Sequence, residues 1–156
     1  MKSLPLNRKV LVNRLAEIER DLAELEKFRG VPFKEFSGGV HYAVAEHHLR
    51  RTLEAVFDAG NHILSRLPLA PSQRPESYKA IALALGRHKV VSEVYAEGPL
   101  SQMAGYRNRL VHFYDEVTSE ELYGIIQNQL SDIETFAKVI RDLITHPQRI
   151  GLTIDG

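Results

Sequence analysis

The chain has 156 residues, the size of one ordinary domain, and its 44% apolar and 26% charged composition supports a packed core and excludes wholesale disorder. Lys plus Arg and Asp plus Glu number 20 each, so no net field draws the chain toward nucleic acid or an anionic membrane, and any nucleic-acid site must be local. There is no cysteine, which removes disulfides, thiolate metal ligands and thiol nucleophiles together.

Met1 to Pro5 opens no apolar run, and no stretch approaches the roughly 18 apolar residues of a membrane span. A soluble, unprocessed cytoplasmic protein is expected. From Asn7 to about Arg29, Leu11, Leu15, Ile18, Leu22 and Leu25 recur at steps of three and four between charged residues, which predicts an amphipathic helix. Gly30, Val31 and Pro32 interrupt it, and Ser37-Gly38-Gly39 adds a second flexible point before a helix predicted over Val40 to Leu67. Within that helix Gly60 is either a soft spot or a place of close packing. Three prolines between Pro68 and Pro75 read as a loop, followed by a shorter helix from about Pro75 to Leu85 that Gly86 can end.

Residues Arg87 to Gly98 read as irregular, with one or two helical turns, closed by Gly98-Pro99. Pro99 suits the first turn of a fresh helix, placed over Leu100 to about Val111. Thr118, with Glu121 three residues later, has the capping-box pattern. The stripe Leu122, Ile125, Ile126, Gln129, Ile133, Phe136, Ile140, Leu143 then predicts one long helix stopped by Pro147. These elements amount to an all-α antiparallel bundle of about five helices without a convincing strand. A single domain is expected over 1–156, with its core in about 7–146 and a short tail at 147–156.

The chemistry concentrates in Tyr106-Arg107-Asn108-Arg109-Leu110-Val111-His112-Phe113-Tyr114-Asp115. On a helix, Asn108 and His112 would share a face through their four-residue spacing, with Arg107 flanking it. That brings together a fixed cation, an amide and a group that titrates near neutrality, the components needed to handle a phosphodiester. The alternative is structural, since polar clusters at helix ends serve capping and solvation, and cations near a helix C-terminus are favoured by the macrodipole.

The run resembles the R-x-x-x-x-H signature of HEPN proteins and, more closely, the R-x-x-x-x-H-x-Y form of HepT toxins. Arg107, His112 and Tyr114 occupy the fixed positions, and Asn108 is the polar residue that follows the arginine. The order of the helices around Leu53 to Leu64, Pro75 to Leu85, Met103 to His112 and the final stripe also fits, so the resemblance covers about Ala45 to Ile144; the first helix agrees in type only. It implies a HEPN-like fold and a metal-independent endoribonuclease without cofactor, acting as a homodimer on RNA, with Arg107 and His112 catalytic and Asn108 supporting. It also implies a cognate MntA-type nucleotidyltransferase that neutralises the toxin by AMPylation of Tyr114. The competing class is a non-catalytic RNA- or partner-binding subunit associated with such a transferase.

Other residues invite attention. Glu46-His47-His48 with Arg50 and Arg51 looks metal-like, but adjacent histidines point to different sides of a helix, which favours a structural or RNA-contact role over zinc. His41 and His48 could share a face but lack an evident third ligand. His62 is expected on a helix surface, His88 in a loop, and His146 at a helix end.

Overall fold

The computed structural model describes residues 2–112 and 116–156. Helix α1 (Arg8–Glu26) starts where the Asn7 side chain accepts a hydrogen bond from the Val10 N–H, which satisfies one of the orphan donors of its first turn. A one-turn helix α2 (Phe33–Phe36) occupies the predicted break and buries Phe36. Gly39, at φ +75°, takes a backbone conformation open mainly to glycine and turns the chain into the long helix α3 (Val40–Arg66). Helix α3 packs along α1 and touches α4 (Tyr78–Arg87) and most later helices. Its buried stripe, Leu49, Leu53, Val56, Gly60 and Ile63, is the central wall of the hydrophobic core.

Four boundaries depart from the sequence reading, each for a physical reason. Helix α4 begins after a Ser77 cap and runs through Gly86, which does not end it. A Cβ on Gly86 would lie 2.5 Å from the Ala96 Cβ, so this glycine is a point of close approach. Pro99 does not open a new helix. A short turn, α5 (Glu93–Tyr95), runs into a π-helical turn at Ala96–Leu100 and on into α6 (Ser101–Val111), with helical dihedrals at the junction residues Tyr95, Ala96, Leu100 and Ser101. The wider turn accommodates a proline that an ordinary helix interior would reject.

The long final stripe is two helices, α7 (Ser119–Asn128) and α8 (Leu130–Thr145), broken at Gln129 with φ −125° and ψ 3°. The predicted capping box is present: the Thr118 Oγ1 accepts from the Glu121 N–H at 3.1 Å, and the Glu121 carboxylate accepts from the Thr118 N–H at 3.2 Å. Residues 147–156 are no loose tail. Leu152 is buried, and β2 (Ile154–Asp155) pairs in parallel with β1 (Leu6–Asn7), tying the two ends of the chain together. Apart from that pair the fold is all-α, as the periodicity predicts.

Candidate active site

The motif helix α6 is held by its inward residues. Leu100, Met103 and Ala104 are buried against the core, and Arg107, one turn beyond Met103 and Ala104, lies on the same inward side. Its guanidinium carbon sits 4.2 Å from the centroid of the Tyr78 ring of α4, a cation–π contact. Tyr78 is itself steadied by an edge-to-face contact with Phe57, at 5.4 Å between centroids. The Arg107 Nε is buried without a hydrogen-bond acceptor, so stacking on the ring leaves part of its donor capacity unused.

His112 corrects the helical-face argument. Helix α6 ends at Val111, and His112 has extended dihedrals, φ −109° and ψ 122°, with its N–H donating to the Arg109 carbonyl at 3.3 Å. The four-residue spacing to Asn108 therefore does not place both side chains on one helical face. Asn108 lines an open depression with Lys79, Gln102 and Gly105. His112, exposed, lines a different and more enclosed one of about 400 Å³, together with Glu46, Arg50, Arg109, Leu110 and Val117. Arg107 belongs to neither wall.

Glu116 and Val117 are held from two sides. Arg109 donates to both Glu121 carboxylate oxygens, at 2.6 and 2.8 Å, and to the Glu116 carbonyl at 2.8 Å. Arg109's hydrogen bond, ahead of the Thr118 contacts, draws the Glu121 pKa down to about 2. From α3 the Tyr42 hydroxyl donates to the Val117 carbonyl. Burial, and then the neighbouring Glu46 carboxylate, push the Tyr42 hydroxyl up to about 12, so it remains a donor. Tyr114 lies outside the described residues.

The remaining histidines have structural partners. The His48 Nδ1 is 2.9 Å from the buried Asp21 carboxylate, whose other oxygen is 3.6 Å from the Arg51 Nε, and His47 rests edge-on against His48. His41 lies edge-on against Phe28. The His62 Nε2 accepts from the Asn7 N–H at 3.1 Å, which holds the start of α1 on α3, and burial followed by Arg66 lowers its pKa. His88 closes α4, and His146 closes α8 beside Asp142 at 3.4 Å. Among the described residues, no group of three or more His, Asp or Glu side chains is arranged to hold a metal ion. Nor is any helix there long and apolar enough to cross a membrane.

Residues 18–140 match the family described as ribonuclease HepT-like. The chain belongs to that family. The match reaches back into α1, further than the motif-based resemblance does. Among similar proteins, the tRNA nuclease HepT of Aphanizomenon flos-aquae is 26% identical over 136 residues, spanning 86% of this chain and 90% of the relative. The mRNA nuclease HepT of Shewanella oneidensis is 26% identical over 134 residues, spanning 85% and 96%. The structure of the tri-AMPylated Shewanella oneidensis HEPN toxin in complex with MNT antitoxin superposes with a TM-score of 0.75 at 26% identity, over 85% of this chain and 96% of that one. By family this HepT-like chain is a ribonuclease.

Sequence reasoning missed what holds these residues of the HepT-like chain in place. Tyr78 shares a side of α4 with Ile81, Ala82 and Leu85, but that it carries Arg107 depends on how α4 meets α6. The bracing of Val117 by Tyr42 joins residues far apart in the chain, and no local pattern announces it.

Proposed function

We propose that the chain is an endoribonuclease toxin that cleaves RNA without a metal, in a composite site of a homodimer. Arg107 and His112 are its catalytic residues and Asn108 supports them. RNA carries its own nucleophile in the 2′-hydroxyl. Attack on the adjacent phosphorus breaks the bond to the 5′-oxygen and leaves a 2′,3′-cyclic phosphate; a base takes the hydroxyl proton, an acid gives one to the leaving oxygen, and a cation meets the charge on the phosphoryl oxygens. His112 suits either proton transfer, and a guanidinium suits the third role. One His112 per chain serves one transfer, and two-fold symmetry supplies the second.

The observation that carries this reading is His112 at the end of the family's motif helix, exposed in an enclosed depression whose wall includes Arg50 and Arg109 and beside which the Glu116 and Val117 carbonyls accept from α6 and α3. The solved relative is a toxin in complex with its antitoxin and carries AMP groups. By that likeness, a nucleotidyltransferase partner neutralises this chain by AMPylating Tyr114, adding a phosphodiester anion and a base beside the motif and filling the space of an RNA phosphate.

A second reading, a partner-binding subunit without activity, draws on Arg107, which rests on Tyr78 away from the His112 wall. Incubating the purified chain with tRNA and total RNA in excess EDTA separates the two. The first reading expects discrete cleavage that co-expression with a cognate transferase abolishes and that Tyr114→Phe preserves; intact RNA supports the second.

A further inference from the structure

The depression at His112 is walled by two arginines in different circumstances. Arg109 is engaged: it donates to both Glu121 oxygens and to the Glu116 carbonyl. Arg50, on α3, is half-buried, and among the described residues it forms no hydrogen bond or ion pair. Helix α3 fixes its direction, because Leu49 and Leu53 on either side are buried in the core. A guanidinium offers five donors in a planar fork, and partly withdrawing it from water without an acceptor is unfavourable until an anion with matching oxygens arrives.

Glu46, one turn earlier on α3, lines the same wall, yet it makes no ion pair with Arg50 within 4.0 Å. The volume of about 400 Å³ falls in the range of small-ligand sites, roughly 300–1,000 Å³. Arg107, which the motif designates as the cation, is stacked on Tyr78.

We propose that Arg50 is a phosphate-binding residue of this site, gripping an RNA backbone phosphate in the depression that His112 lines. The inference rests on His112 being part of the RNA-cleaving site. Arg50 then supplies the positive contact that holds the strand, by a bidentate grip for which a lysine is a poor substitute. It acts on binding and positioning, so its loss should appear mainly in KM, with a smaller change in kcat.

The test uses the full chain and an RNA oligonucleotide methylated on every 2′-oxygen, which binds but cannot be cut, with Kd measured across a range of KCl concentrations. Arg50→Gln should weaken binding about tenfold or more at low salt. It should also make the plot of log K against log salt shallower by about 0.7, the value of one lost phosphate contact on a single strand. Arg50→Lys should recover the salt slope and only part of the affinity. Arg50→Gln with wild-type Kd and slope overturns the proposal, as does a wild-type chain that binds no RNA. If Arg50→Gln does not fold, Arg50→Lys alone decides, because unchanged affinity there contradicts the bidentate grip. His112→Ala separates this inference from the reading beneath it: undiminished cleavage in that variant defeats the catalytic reading, whereas an inactive His112→Ala beside a normal Arg50→Gln defeats only the role of Arg50.

Discussion

Arg107 has two roles available, and the side chain beneath it distinguishes them. A cation–π contact of this kind contributes on the order of 0.5–2 kcal/mol, enough to fix the arginine but small beside a catalytic barrier. Tyr78→Phe keeps the aromatic face and should leave both melting temperature and RNase activity near wild type. Tyr78→Leu should lose activity by more than its fall in stability accounts for, because it releases the Arg107 head from its place. Equal, small effects of the two variants on activity would make the stacking purely structural.

Glu121 offers a pH test of the brace behind His112. The Arg109 hydrogen bond holds its folded pKa at about 2, below the ordinary 4.5. The stabilisation is therefore complete above about 4.5 and disappears as the pH falls through about 2. The carboxylate side chain is 35% exposed, so solvent screening limits the contribution to about 1 kcal/mol or less. Chemical denaturation should show Glu121→Gln less stable than wild type at pH 7 and the gap closing toward pH 2; a gap that does not change with pH would remove the ion pair as its cause.

At the level of elements, the positions of α4 and of the π turn that leads into α6 depend on two glycines. A Cβ on Gly60 would come within 2.9 Å of the Leu85 Cδ1 and 3.3 Å of the Ile81 Cγ2, both ends of side chains that can yield a little. A Cβ on Gly86 would meet the Ala96 Cβ at 2.5 Å, and that atom moves only with its backbone. Gly86→Ala should therefore cost roughly 1–3 kcal/mol through overpacking, and more than Gly60→Ala, although alanine favours a helix more than glycine does. Thermal melts of the two variants check the order, and a Gly86→Ala protein as stable as wild type would contradict the close approach.

Gly86 also marks how far the sequence could be read. Steps of three and four among apolar residues located α1 within a few residues, and Thr118 with Glu121 located the start of α7. Gly86 and Pro99 misled because both are ordinary helix punctuation, and here tertiary packing and a π turn override local propensity. Likewise, Arg107, Asn108 and His112 form a motif in the sequence, while the separation of His112 from Asn108 follows from the helix stopping one residue before His112.

For the whole molecule, the core draws on every helix from α1 to α8, and the pairing of Leu6–Asn7 with Ile154–Asp155 closes the chain on itself. Within this frame a single protomer presents one His112 and turns Arg107 toward Tyr78, so the proposed chemistry calls for a second copy, and sedimentation should give about twice 17.7 kDa. The most direct measurement is cleavage of tRNA and total RNA in excess EDTA by the wild-type chain and by His112→Ala, with circular dichroism confirming that both are folded. The wild-type protein should release fragments ending in 2′,3′-cyclic phosphate and His112→Ala none; equal cleavage by the two would contradict His112 as a catalytic residue.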